Sequence, residues 1–369
     1  MKVKLKDLVI ISNDREQVEN VNLNNYVSTE NLLANRNGVK FPANNMPSAK
    51  TVSTYKKGDI LVSNIRPYFK KIWKAKFNGP KSNDVIAFRT NSPRLMQDYL
   101  YVLLQSDNFF DYVTSTAKGT KMPRGDKNAI RNYTFELPNL NIQKKIANTI
   151  LVIEEKVKLN NQINDNLLEL IDVYFLKLLD NSTLIEKTIN DIGSVVGGGT
   201  PSKKNKDYWN GSISWITPKD LSQNPSVFTS HGENFITELG LSKGSAKLLP
   251  SHTILFSSRA PIGYISIAKN NISTNQGFKS IIPNKRYSFQ FIYELMKHET
   301  QAIINEANGS TFKEISGKRL KQHIVKVPQI ENMDRFDKLT LPLFKQIESL
   351  EEENRSLAKI KEQLLNKLF

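Results

Sequence analysis

The chain repeats itself, and that limits its folds more than any single motif does. Ala117-Lys-Gly-Thr-Lys121 returns as Ala307-Asn-Gly-Ser-Thr311, and Glu136-Leu-Pro138 returns as Lys326-Val-Pro328, both at an offset of 190. Each proline precedes a long stretch with apolar residues at helical spacing. In the first stretch these are Ile146, Ile150, Ile153, Val157, Leu167, Ile171, Tyr174 and Leu178. In the second they are Phe336, Leu343, Ile347, Leu350, Leu357, Leu364 and Leu368. The same offset carries Ile153 onto Leu343, Val157 onto Ile347, Leu167 onto Leu357 and Asn164 onto Asn354. Upstream, Asp59-Ile-Leu-Val-Ser-Asn-Ile-Arg-Pro-Tyr68 resembles Thr253-Ile-Leu-Phe-Ser-Ser-Arg-Ala-Pro-Ile262 at 194, and Lys6-Asp-Leu8 resembles Asn190-Asp-Ile192 at 184. The drifting offset implies loops of different length on a shared scaffold.

The organisation is therefore lobe, helix, lobe, helix, with segments 1–140, 141–183, 184–330 and 331–369. The lobes have the composition of mixed α/β units with many short strands, at 59–62, 85–88, 212–216, 253–256 and 263–268. Gly/Pro/Asn/Ser turns separate them, and lobe helices are expected at 99–104 and 291–297. A seam repeating every 3.5 residues is the signature of paired supercoiled helices. The stretch from Ile142 to Leu179 would run ~57 Å at 1.5 Å per residue, more than a small lobe can cover. The link from Leu179 to the second lobe is too short to travel back, so the second helix must return beside the first. The expected class is α+β: two pseudo-symmetric lobes separated by a two-helix antiparallel coiled coil. Asn164 and Asn354 fall at equivalent seam positions, where a polar residue sets register, and they are expected to meet or to neighbour each other.

Charge falls into the same pattern. The 369 residues carry 52 Lys+Arg against 36 Asp+Glu, net +16. By segment, residues 1–140 carry +10, 141–185 carry −1, 186–330 carry +8 and 331–369 carry −1. Two basic lobes held apart by neutral helices suit a polyanion with repeating equivalent faces, as duplex DNA has. The cations cluster with groups able to grip phosphate or pair with base edges. In the first lobe these are Asn64, Arg66, Tyr68, Lys70, Lys71 and Lys74, then Lys118, Thr120, Lys121, Arg124 and Lys127. In the second they are Gly198, Thr200, Ser202, Lys203 and Lys204, then Arg259, then Ser310, Thr311, Lys313, Lys318 and Arg319.

Catalytic signals are missing. The chain has no cysteine, which excludes disulfides, thiolate metal sites and Cys nucleophiles. Its four histidines have no pair at ligand spacing, so no metal site is expected. Gly193-Ser-Val-Val-Gly-Gly-Gly199 lacks the Lys-Ser/Thr of a phosphate-binding loop. No Asn-Pro-Pro-Tyr type motif occurs, which argues against adenine methylation by this chain. Glu154-Glu-Lys156 lies on a helix without the upstream Pro-Asp of a nuclease motif. No signal peptide and no run of 18 apolar residues is present, so a soluble, cytoplasmic protein is expected.

Gly198-Gly-Thr-Pro201-Ser, with Tyr208-Trp209-Asn-Gly211 and Ser214-Trp215-Ile-Thr217-Pro-Lys-Asp-Leu221, resembles the second target-recognition domain of a type I restriction–modification specificity subunit. Gly58–Tyr68 and Leu137-Pro-Asn-Leu-Asn-Ile-Gln143-Lys-Lys-Ile-Ala147 are similar to that family too. The resemblance implies a non-catalytic subunit with two target-recognition domains, each reading half of a bipartite DNA target, joined by helices that set the spacer. It further implies docking to modification subunits that methylate adenine with S-adenosylmethionine, and through them to ATP- and Mg2+-dependent restriction subunits. The chain departs from the pattern in three places. No Gly-Gly-Thr-Pro equivalent stands near Ile11–Glu19, no glutamine after Pro328 matches Gln143, and Pro342 should delay the second helix. Two readings compete: a structural protein whose basic lobes bind polyanions without sequence preference, and a nuclease with an unfamiliar site.

Overall fold

The computed structural model describes residues 1–12, 14–309 and 313–369. They form two compact units, one of residues 1–157 with 356–369, the other of 158–355. The two long helices, Leu140–Asp180 and Ile330–Leu368, each contribute to both units, so the divisions fall inside helices rather than at their ends.

In the first unit Lys2–Lys4 pairs antiparallel with Thr134–Glu136, so the chain enters and leaves side by side before turning into the first long helix. A four-stranded antiparallel sheet follows, in the order Val9–Ile11, Val85–Thr90, Ile60–Ser63, Ile72–Lys74. A three-stranded antiparallel sheet pairs Arg15–Gln17 and Gly79–Lys81 with Thr51–Tyr55 between them. Helices Gln97–Leu103 and Asp107–Ser115 cover the larger sheet's apolar face, with Leu100, Phe109 and Phe110 packed with Ile60 and Phe88. Each such side chain buried contributes about 1.5–3 kcal/mol. Ser106 separates the two helices and caps the second, its hydroxyl accepting from the Phe109 N–H at 3.2 Å.

The second unit repeats this plan. Leu184–Thr188 pairs antiparallel with Ile324–Pro328. The main sheet runs Gly193–Gly197, Lys279–Pro283, Ile254–Ser258, Ile262–Ala268, with Phe228–Thr229 added in parallel at the edge. A second sheet has the order Asn234–Ile236, Trp209–Ile216, Ile272–Thr274, Leu248–Leu249. Its lobe helix, Phe289–Glu306, is continuous where the first unit's breaks.

Within each unit the long helices run antiparallel. In the second, Asn160 meets Asn354 and Asn332 donates to the Ser182 hydroxyl. In the first, Lys361 pairs with Glu154 at 2.6 Å, and Leu365 packs with Ile150 and Val102. The buried positions differ by one residue from several expected at the seam: Phe175, Phe344 and Leu365 are buried beside Tyr174, Leu343 and Leu364, and Leu368 is exposed. Phe175 packs with Phe291, Phe344 with Phe228 and Leu365 with Val102, so lobe contacts as well as helix pairing decide which residue is buried.

Pro342 does not delay the second helix, which starts at Ile330 and runs through it. An interior proline costs about 3 kcal/mol. Met333, Phe336, Phe344 and Ile347, all buried on either side of it, recover more than that, and the buried Thr340 hydroxyl donates to the Phe336 carbonyl at 2.9 Å. The missing counterpart of Gln143 also has a structural sense. Gln143 is buried, accepts from the Met96 N–H at 2.9 Å and donates to the carbonyls of Arg94 and Pro138. Its equivalent, Met333, joins an apolar core instead.

Candidate nucleic-acid interface

In the first unit the strand Ile60–Ser63 ends in a tight turn, Pro67–Phe69, flanked by Arg66 and Lys70, both at positive φ. Non-glycine residues take that conformation only where surroundings enforce it. The enforcing contacts come from distant segments. Arg66 N–H donates to Pro123 at 2.8 Å, Gly125 N–H to Asn64 at 3.0 Å, and Arg36 N–H to Lys70 at 2.9 Å. Ile65 pairs with Arg124, and Arg124 with Lys118. Two basic segments some 55 residues apart (66 and 121) thus become one patch. Its exposed members are Tyr68 and Phe69, whose tilted rings lie 4.8 Å apart, and Lys118, Thr120, Lys121 and Arg124. Gly119, at φ +92°, makes the turn between them. Asn64 Oδ1 and Arg66 Nε are buried and make no hydrogen bond among the described residues.

Several of these cations already have partners. Lys70 and Arg36 converge on Asp107; burial raises that carboxyl's pKa, but the two cations outweigh it and hold the group below its ordinary value. Lys74 pairs with Asp98, and Lys71 donates to the Thr29 carbonyl at 2.5 Å, so both anchor the lobe. Lys118 pairs with Asp126 at 2.6 Å and Arg124 with Asp84 at 3.2 Å, contacts exposed enough to exchange for phosphate. Arg36 is absent from the sequence-level selection because its strap position is not marked by any local motif.

The second unit has the same arrangement. Arg259 pairs with Glu314, which pairs with Asn308, and Ala260 has positive φ where Arg66 does. Helix Gly317–Gln322, bearing exposed Lys318 and Arg319, stands where Lys127–Arg131 does. Arg319 pairs with Glu306 at 3.0 Å, and Lys313 is exposed. Ser310 and Thr311 lie outside the described residues. Gly198 is packed so tightly that a Cβ would meet the Asn275 carbonyl oxygen at 2.0 Å, which no side chain permits. Trp215 Nε1 donates to Gly199 at 2.9 Å and Thr200 bonds Gln276, leaving Ser202, Lys203 and Lys204 projecting from a pinned base.

The register asparagines sit at the helix pair within the second unit. Asn160 donates to Asn354 Oδ1 at 2.9 Å and to Glu353 at 2.8 Å, and Asn354 donates to Asn161 at 2.8 Å. Asn354 thus bonds Asn160 and Asn161 rather than Asn164, which lies one turn along the first helix, buried, its Oδ1 without a partner among the described residues. Folding also groups Asp172, Glu294 and His298, whose ligand-type atoms lie within 4.8 Å of one another. Spacing hides this trio, because Asp172 comes from the long helix and the others from the lobe helix. His298 Nε2 hydrogen-bonds Asp172 at 2.7 Å and Lys297 pairs with buried Glu294 at 2.7 Å, so each carboxylate already has a partner within the protein. Among the described residues no helix is long and apolar enough to cross a membrane.

Comparison with known proteins places these lobes. The family model described as the type I restriction modification DNA specificity domain matches residues 1–169 and again 181–362. The MjaIX specificity subunit of Methanocaldococcus jannaschii is 41% identical over 185 residues, 50% of this chain and 43% of that protein. The EcoR124I/EcoR124II specificity subunit of Escherichia coli is 33% identical over 168 residues, 42% of this chain and 41% of that protein. Both alignments thus span less than half of the relative. The HindI specificity subunit of Haemophilus influenzae is 22% identical over 85% of this chain and 86% of its own. In fold, the S subunit of a type I restriction–modification system from M. genitalium superposes with a TM-score of 0.65 at 17% identity, covering 100% of this chain and 96% of that one.

Proposed function

The chain belongs to the family of the type I restriction modification DNA specificity domain, and on that premise we propose that it is the sequence-specific DNA-binding subunit of a type I restriction–modification complex. Each lobe reads one half of a split target, and the helices set the spacing. The observation that carries this reading is the paired construction of the lobes. Each joins a strand-end turn with a positive-φ residue to a distant basic loop, yet their loops differ in sequence and length. Two lobes binding any polyanion would need no such difference, which disfavours the nonspecific alternative. Asp172 and Glu294 are each engaged by a neighbouring side chain, His298 and Lys297, which disfavours the nuclease reading.

The chain itself is non-catalytic in this reading. Modification subunits using S-adenosylmethionine, and restriction subunits using ATP and Mg2+, supply the chemistry in the cytoplasm. Exposed Leu159, Ile163, Leu170 and Val173 along the first long helix offer apolar surface for such subunits. Sequencing of DNA protected by the chain together with its modification subunits is the test. A two-part consensus with a fixed gap is expected; protected fragments without any consensus would leave the nonspecific reading in its place.

A further inference from the structure

The lobes differ most where the sequence departs from its own repeat. At an offset of 184, Arg15 takes the place of Gly199. In the second unit Gly199 is packed against Ser245, where a Cβ would lie 2.2 Å from the carbonyl oxygen. In the first unit a polar pocket of about 200 Å³ opens at the corresponding place, lined by Ser12, Arg15, Ser53, Lys81, Asn83 and Lys127 among others. No carboxylate of the described residues lines it.

Lys81 is only 3% exposed, and among the described residues its Nζ makes one hydrogen bond, to the Val85 carbonyl at 2.8 Å. An ammonium group carries three donors, so the described residues leave two of them unmet in a buried site. Ser12 Oγ is buried with no partner among the described residues, and Ser53 donates to Asn83 Oδ1 at 2.8 Å. Burial, and then the nearby Lys127, push the Lys81 ammonium down to about 8, with Asp59 opposing. Holding Lys81, Arg15 and Lys127 around one cavity is unfavourable without an anion and favourable with one. Lys127 ends the same basic loop that carries Arg124, and Arg124 pairs with Asp84, three residues from Lys81, so the pocket borders the exposed patch.

We propose that this pocket seats a phosphate group and, resting on the DNA-recognition reading above, that the group is a backbone phosphodiester of the target duplex. Arg15 and Lys127 supply charge at the rim, Lys81 supplies donors at the base, and the Ser12 hydroxyl is a further donor. A contact of this kind fixes the lobe's position on the duplex without reading bases.

The test measures the affinity of the full chain for its target duplex and for an unrelated duplex against salt concentration. The variants are Lys81→Met, Lys127→Met and Ser12→Ala, with melting temperature as the folding control; Lys127 is exposed, so its variant keeps the test open if Lys81→Met fails to fold. Each lysine variant is expected to weaken both duplexes about equally, by roughly tenfold, and to lower the slope of log K against log salt by about 1. Ser12→Ala should weaken binding at unchanged slope. Wild-type slopes in both lysine variants, with target binding intact, overturn the proposal and leave the DNA reading standing. Inorganic phosphate supplies the second arm. If millimolar phosphate raises the melting temperature of the wild type but not of Lys81→Met while the slopes stay unchanged, the pocket takes free anion and the proposal is again overturned. If no split target exists, phosphate stabilisation abolished by Lys81→Met still supports the phosphate seat, and only the DNA reading fails.

Discussion

At the scale of single residues, the polar groups that hold this protein together are ones whose partners lie far along the chain. His323 is the sharpest case, 3% exposed in its side chain, with Nδ1 on Glu306 at 2.9 Å and Nε2 on Glu299 at 3.1 Å. Burial alone would lower its pKa, but the two carboxylates outweigh it and raise the group above its ordinary 6.5. Because the folded form then binds its proton more tightly than the unfolded form, the contribution to stability is complete below pH 6.5 and is lost as pH rises through the folded value. A melting-temperature series across that range should fall in the wild type and flatten in His323→Gln; parallel profiles in the two proteins would show that the imidazole stays neutral. The same distance in sequence explains what could not be read locally at the candidate site. Arg66, Tyr68, Lys118 and Arg124 are marked by local basic and aromatic clusters. Arg36 and Lys81 are marked by nothing, because the groups that give them a role, Asp107 for Arg36 and Ser12, Arg15 and Lys127 for Lys81, lie far along the chain.

Among the elements, the long helices are the part most fully legible in sequence and the lobe strands the least. Apolar spacing located both helices because burial on one face is a property of each helix by itself. It misjudged which residue lies deepest, since that depends on the lobe side chains packed against each helix, Phe291 on Phe175 and Phe228 on Phe344. Asparagines at the seam divide by their partners rather than by their spacing. Asn160 and Asn164 each bury an Oδ1 with no partner among the described residues, but Asn160 also places both its amide protons, on Asn354 and Glu353. Replacing Asn160 removes two hydrogen bonds and strands their acceptors, which outweighs the relief of its own oxygen, while replacing Asn164 chiefly relieves a desolvation cost of about 1–3 kcal/mol. Asn164→Leu should therefore raise the melting temperature by a few degrees and Asn160→Leu should lower it, as scanning calorimetry of the two variants would show; the reverse order would mean that a bound water or partner satisfies Asn164. Strand order was out of reach, because each strand's neighbours come from other parts of the lobe.

For the whole molecule, the consequence of a duplicated domain is that function should divide as the sequence does. Exchanging residues 186–330 for the corresponding lobe of a relative should change one half of the protected consensus and leave the other half as it was. If both halves changed together, the lobes would not read independently. The amino-acid sequence by itself determined the repeat, the α+β class, the two long helices and the concentration of positive charge on the lobes. These are properties of local spacing and of composition, which need no knowledge of what touches what. Only the tertiary structure decided that the helix passes through Pro342, that more than half of the named cations are tied to carboxylates or carbonyls of their own lobe, and that a lysine without any motif faces a polar pocket. Each of those depends on packing and desolvation by residues remote in sequence. The energy that overrules a local preference comes from burial, and burial is settled only when the chain has closed on itself.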